Sequence, residues 1–336
     1  MSELNKISLQ ILKGGKGILA ADESNATMTK RLEAVNIVSN QENRLNFRKT
    51  LFSSDSMRSC IGGVILYDET IKQNIGTKTI PELIHDSGSV TGIKVDTGAK
   101  SLAGSPEEKI TEGLDGLRER LKEYYKLGAR FTKWRGVYKI SNSFPSKVSI
   151  VSNAHALARY AALVQECEMV PIVEPEVLMD GDHSAKVCFK KTSEVIKKCF
   201  EELIIHKVDL TGVILKPNMI LDGSSSQDKI SSEEVADMTL KCLNESVPQE
   251  VPGIAFLSGG QSEIEATENL NIINKKNNSK FIITYSYGRA LQQSALKHWS
   301  KNVEDIAGTQ KVFNHRAKMC SLAAQGKWSK ELENQK

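Results

Sequence analysis

Short runs of apolar, β-branched residues bounded by glycine or proline recur along the chain at 17–21, 61–66, 91–95, 130–134, 170–173, 211–215, 253–257 and 281–285. Each predicts a strand. The runs GGVIL, GVILK and FIIT are apolar up to a closing Lys or Thr and do not alternate, as parallel strands covered on both faces require. Between most of these runs, apolar residues recur at helical spacing. Ile110, Leu114, Leu117, Leu121 and Tyr124 predict a helix over 107–127, and Leu157, Tyr160, Ala161 and Val164 predict one over 153–166. Strand and helix alternate, which predicts a parallel α/β sheet. Strand centres lie roughly 30–45 residues apart, with no Pro/Ser-rich linker between them. A single (β/α)8 TIM barrel therefore absorbs residues 1–336 as one domain, with a short C-terminal tail from about 326 to 336. A doubly wound sheet would use the same alternation. Its glycine-rich turn is missing, however, because the first strand runs into Ala-Ala-Asp-Glu-Ser, and neither GxGxxG nor GxxxxGK[ST] occurs. Gly14-Gly15-Lys16-Gly17 precedes its strand and reads as a flexible turn.

Composition narrows the classes. The 336 residues carry 45 Lys+Arg against 41 Asp+Glu, a formal charge of +4, too small a surplus for a basic nucleic-acid arm. Hydrophobic residues at 40% supply a sizeable core and exclude a disordered chain. The first twenty residues are interrupted by Asn5, Lys6, Gln10, Lys13 and glycines, and no apolar run approaches the roughly 18 residues of a membrane helix. No nucleic-acid or membrane partner is expected. Cys60, Cys167, Cys188, Cys199, Cys242 and Cys320 form no CxxC pair and read as free thiols, which predicts a reducing, cytoplasmic location.

In such a barrel the chemistry sits at the C-terminal strand ends, and the residues that close each apolar run are far from random. The first run ends in Asp22, the third in Lys94 and Asp96, the fourth in Lys133 and Arg135, the fifth in Glu174 and Glu176, and the sixth in Lys216. The seventh ends in Ser258-Gly259-Gly260 and the eighth in Ser286-Tyr287-Gly288-Arg289. Ionisable residues at i and i+2 face one side of an extended strand, so these converge on the barrel mouth. A single charge at a strand end is more often solvated or part of a structural ion pair; seven such endings together point to a site. Their positive surplus predicts an anionic substrate.

The last two endings run into helical stretches, whose N-terminal amides attract phosphate, and Arg289 adds a forked donor. Ser24, Thr27 and Lys94 offer a second phosphate position. Asp180-Gly181-Asp182-His183 has only one histidine and reads as a surface turn, and the other histidines lack HxH or HExxH spacing, so no metal is expected. Lys216 closes an apolar run just before Pro217. Burial beside Lys133 and Arg135 would favour the neutral amine, which attacks carbonyls; the alternative is a static ion network with Glu174 or Glu176.

At these residues the chain resembles the class I fructose-bisphosphate aldolases. The resemblance spans nearly the whole sequence: GKGILAADES at 15–24, IGGVILYDET at 61–70, GIKVDTG at 92–98, KWR at 133–135, VPIVEPEVLMDGDH at 170–183, LKPNM at 215–219, FLSGGQSE at 256–263 and YSYGRALQ at 285–292. It implies that Lys216 forms a Schiff base with the ketose of fructose 1,6-bisphosphate and that Glu174 is the main general acid/base. Asp22, Lys133 and Glu176 would position and polarise the reacting groups. Binding of the substrate and its phosphates is implied for Ser24, Thr27, Arg31, Lys94, Arg135, Ser258, Gly259, Ser286, Gly288 and Arg289. An iminium on Lys216 accepts the electron pair of the breaking C3–C4 bond, so neither a metal nor a cofactor is expected. Glu174 and Glu176, as neighbouring like charges, are expected to push one carboxyl pKa upward.

Two departures stand out. Thr27 replaces the family's usual serine. The tail lacks the terminal tyrosine with which many animal members protonate the enamine, the last tyrosine here being Tyr287. That step is expected to fall to Glu174 or to water. The resemblance further implies a homotetramer, with a dimer as the smaller alternative. A preference for a monophosphate ketose and a secondary scaffold role both stay open.

Overall fold

Eight parallel strands close into a barrel in a computed structural model that describes residues 2–334. They are β1 (Gly17–Ala20), β2 (Ile61–Leu66), β3 (Val90–Lys94), β4 (Phe131–Tyr138), β5 (Val170–Val177), β6 (Ile214–Leu215), β7 (Gly253–Phe256) and β8 (Ile282–Tyr287). Each pairs with its neighbour in sequence, and β1 closes on β8 with Ile18 opposite Ser286 and Leu19 opposite Tyr287. The fold is the expected (β/α)8 TIM barrel.

Inside the lower barrel, Ile18, Ile65, Val90, Phe131, Val170, Ile172, Ile214 and Ala255 pack with Ile11 and Leu12 of the N-terminal helix Glu3–Leu12. This helix begins at the Ser2 cap and seals the end of the barrel opposite the mouth. Two glycines make room for that packing. A Cβ on Gly62 would lie 2.0 Å from the backbone oxygen of Ile11, and one on Gly92 would lie 2.3 Å from the Phe131 ring. The outer strand faces pack on helices; Trp134 meets Tyr160 of the helix Lys147–Glu166 with ring centres 5.4 Å apart. Burying such a side chain contributes about 1.5–3 kcal/mol.

Three expectations are corrected. The segment 107–127 is not one helix: Ser105–Glu112 pairs antiparallel with Gly98–Leu102, and only Leu117–Lys126 is helical. Gly113 and Gly116, at φ +126° and +66°, interrupt the helical spacing. Strands β4 and β5 run several residues past 134 and 173, because Lys133, Arg135, Glu174 and Glu176 stay in the ladder, with Arg135 opposite Glu174. Finally, 211–215 is mostly not strand: Leu210–Gly212 is a 3-10 turn capped by Asp209, and only Ile214–Leu215 pairs. Lys216 extends that short ladder by donating its N–H to the Val173 carbonyl at 2.9 Å.

Candidate active site

Above the apolar interior, alternate residues of β4 and β5 turn ionised groups into the barrel mouth. Lys133 Nζ lies 2.7 Å from Asp22 Oδ2 and 3.1 Å from Glu174 Oε2, while Glu174 Oε1 lies 2.9 Å from Lys216 Nζ. Asp22, Lys133, Glu174 and Lys216 thus form a chain of alternating charge. Lys133, Glu174 and Lys216 are all buried. Burial alone would raise the Asp22 carboxyl, but Lys133 and Lys216 outweigh it and hold that group well below the usual carboxylate range. Burial would likewise depress Lys133; Asp22 and Glu174 reverse this and keep its ammonium form past the usual lysine range.

The expectation that Glu174 or Glu176 is pushed upward fails at Glu174. Burial does raise its carboxyl, yet Lys133, Lys216 and Arg135 together leave it below its ordinary value. Glu176 pairs instead with the Arg135 guanidinium. The two carboxylates two residues apart are insulated by the cations of the adjacent strand.

The mouth is a pocket of about 270 Å³. It is lined by all fifteen residues singled out from sequence: Asp22, Ser24, Thr27, Arg31, Lys94, Lys133, Arg135, Glu174, Glu176, Lys216, Ser258, Gly259, Ser286, Gly288 and Arg289. On one side, Ser24 caps the helix Asn25–Glu33, and its hydroxyl is 3.1 Å from that of Thr27. Lys94 Nζ stands 3.0 Å from Asp96. On the other side, Gly288 caps the helix Arg289–Trp299 with no side chain bonded to its first amides, as an anion site requires. The buried Ser286 hydroxyl has no protein partner among the described residues.

The loop after β7 differs from expectation. Its helix starts only at Glu263 and is closed by a Ser262/Glu265 capping box, so Ser258 and Gly259 reach the pocket from a loop and not from a helix terminus.

Glu23 was missed by sequence reasoning. It pairs with Arg31, lies 3.6 Å from Arg48 and accepts from Gln292 Nε2 at 3.0 Å, so it fixes Arg31 from behind. Its position between Asp22 and Ser24 was the only sequence signal. Asp180, Gly181 and Asp182 form an exposed bend with Gly181 at φ +114°, His183 beside them is half-buried, and none of the four lines the pocket.

A closed parallel barrel with a buried lysine–carboxylate chain and cationic rims at its C-terminal mouth defines a barrel enzyme built for a small, multiply charged anion. Likeness to known proteins makes this specific. The family described as fructose-bisphosphate aldolase class-I matches residues 3–336. A probable fructose-bisphosphate aldolase class 1 of Xanthomonas campestris is 47% identical over 332 residues, covering 98% of this chain and 99% of the relative. Fructose-bisphosphate aldolase 4, cytosolic, of Arabidopsis thaliana is 47% identical over 314 residues, 93% and 80% of the two chains. The solved fructose-bisphosphate aldolase of Plasmodium falciparum, in complex with TRAP and a small-molecule inhibitor, superposes with a TM-score of 0.95 at 43% identity, over 97% and 95% of the two chains. The chain belongs to the class I fructose-bisphosphate aldolase family and is a lyase.

Proposed function

We propose that Lys216 is the Schiff-base nucleophile of this aldolase and that the ion chain around it moves the protons of fructose 1,6-bisphosphate cleavage. The observation that carries this reading is the single carboxylate of Glu174 set between the ammonium groups of Lys133 and Lys216 at 3.1 and 2.9 Å. Glu174 takes a proton from Lys216, whose amine then attacks the ketose carbonyl. Glu174 returns that proton to the carbinolamine hydroxyl, which leaves as water; the resulting iminium accepts the electrons of the C3–C4 bond as Glu174, again a carboxylate, takes the proton of the C4 hydroxyl. Glyceraldehyde 3-phosphate departs, and the enamine is protonated at carbon and hydrolysed to dihydroxyacetone phosphate. Lys133, held as ammonium, polarises the oxygen at C4; Asp22 orients Lys133, and Glu176 orients Arg135. One phosphate binds at Ser258, Gly259, Ser286, Gly288 and Arg289, the other near Ser24, Thr27, Arg31 and Lys94.

Borohydride reduction with dihydroxyacetone phosphate, followed by peptide mapping, tests the assignment. The label should fall on Lys216, and Lys216→Met should abolish turnover with the fold intact. Label confined to Lys94 or Lys133 would overturn it.

We further propose that residues 1–336 act as one domain, in the cytoplasm and as a homotetramer, with a dimer as the smaller alternative. The cytosolic Arabidopsis relative supports the location. The tetramer rests on the family resemblance alone and is read by sedimentation. A secondary scaffold role finds support in the Plasmodium relative's complex with TRAP.

A further inference from the structure

Two histidines that look scattered in the sequence meet in space. His155, on the helix Lys147–Glu166, and His206, the C-cap of the helix Ala185–Ile205, lie with ring centres 4.9 Å apart beside Glu202. One potential ligand atom from each of the three side chains lies within 4.8 Å of the other two. Nδ1 of His155 is 3.4 Å from Glu202 Oε2. Two ligand atoms on a tetrahedral zinc ion sit about 3.3–3.5 Å apart for bonds of about 2.0–2.2 Å, so this edge already has the right length.

The surroundings prepare the group for a cation. Lys198 Nζ, 2.9 Å from Glu202 Oε1, pins one carboxylate oxygen and leaves the other beside His155. The same lysine holds the Glu202 carboxyl below its ordinary value, so it is ionised at neutral pH. His206 Nδ1 lies 2.8 Å from the Glu202 carbonyl oxygen and 4.0 Å from Glu202 Oε2, so the imidazole is held against the same carboxylate. His206 also sits at the negative end of a 21-residue helix.

From this juxtaposition we propose that His155, Glu202 and His206 form a divalent-cation site of the zinc class on the outer helical layer. Two imidazoles and one carboxylate are the ligands, and the remaining coordination is left to solvent. None of the three lines the catalytic pocket. The sequence hides the site because its ligands come from two helices, with only Glu202 and His206 in i,i+4 register.

The test is calorimetric titration of the chelator-treated, full-length protein with Zn²⁺, repeated with Co²⁺ to read its visible bands. One ion per chain is expected, with a tetrahedral cobalt spectrum. His155→Ala and His206→Ala should each weaken binding tenfold or more while leaving fructose bisphosphate cleavage unchanged. His155 is exposed and His206 half-buried, so neither substitution threatens the fold, and melting without zinc verifies this. No saturable uptake by the wild type, or equal uptake by the His155→Ala/His206→Ala double variant, would overturn the proposal.

Discussion

Glu174 stands between two ammonium groups, so protonating it would leave Lys133 and Lys216 as adjacent buried cations. That repulsion keeps the carboxylate ionised in a place where burial alone would neutralise it. Asp22 is held the same way, and its depressed pKa ties stability to pH. Its contribution is complete above the unfolded value near 3.8 and is lost as pH falls through the lower folded value. Asp22→Asn should therefore lower stability by roughly 1–3 kcal/mol at neutral pH, since Lys133 keeps Glu174. In melting experiments the gap to the wild type should narrow below about pH 4; a gap of the same size at about pH 3 and pH 7 would mean that Asp22 carries no such linkage. At the rim, Arg289→Ala removes the forked donor beside the uncapped helix start and should weaken bisphosphate binding by roughly 1.5–3 kcal/mol. Unchanged KM for fructose bisphosphate and unchanged inhibition by inorganic phosphate would move the anion site elsewhere.

At the scale of elements, β3 and β4 meet where a glycine faces a ring. Gly92→Ala drives a methyl into Phe131 at 2.3 Å, and the overpacking should cost about 1–3 kcal/mol, measured as a lower denaturation midpoint with an unchanged slope. The apolar runs made these strands legible from sequence, and so did the inward alternation of Lys133 with Arg135 and of Glu174 with Glu176. Their ends were not legible, because a charged residue reads as a strand terminus unless its partner on the next strand is known. The hairpin Gly98–Leu102 and Ser105–Glu112 was hidden for a related reason: Ile110, Leu114 and Leu117 keep helical spacing across glycines whose positive φ only the fold discloses. The loop after β7 misled in the opposite sense. Gly259-Gly260 looks like a helix start, whereas Ser262 and Glu265 begin the helix later. What escaped the sequence was the set of partners across strands, such as Glu23 behind Arg31.

At the scale of the molecule, the chain's last described segment is bound down. Glu333 accepts from Arg316 Nη1 and Nη2 at 2.7 and 2.8 Å and from Trp328 Nε1 at 2.8 Å, with Arg316 buried. Removal of 331–336, of which 335 and 336 lie outside the described residues, should cost about 3–5 kcal/mol by stranding that buried charge. Turnover per folded molecule should change little, because the deleted stretch contains no tyrosine to protonate the enamine. Tyr287, the last tyrosine, spends its hydroxyl on the Ala266 carbonyl at 2.9 Å. A tenfold fall in tritium exchange into dihydroxyacetone phosphate on truncation, with the fold preserved, would give the tail a catalytic role.

The seam between β1 and β8 also dictates when this protein can exist during its own synthesis. Thr284 Oγ1 donates to the Lys16 carbonyl at 2.7 Å across 268 residues of chain. The ribosome releases about 5–20 residues per second, so β1 waits roughly 15–50 s for its second neighbour. Throughout that interval the nascent chain carries an open sheet with unpaired edges at Gly17–Ala20 and at the newest strand, the state most exposed to pairing with a neighbouring chain on the same message. Lys133, Glu174 and Lys216 emerge in that order, but the anion-binding rim at Gly288 and Arg289 appears only with the closing strand. Substrate therefore has a complete site to enter only once the ring has shut.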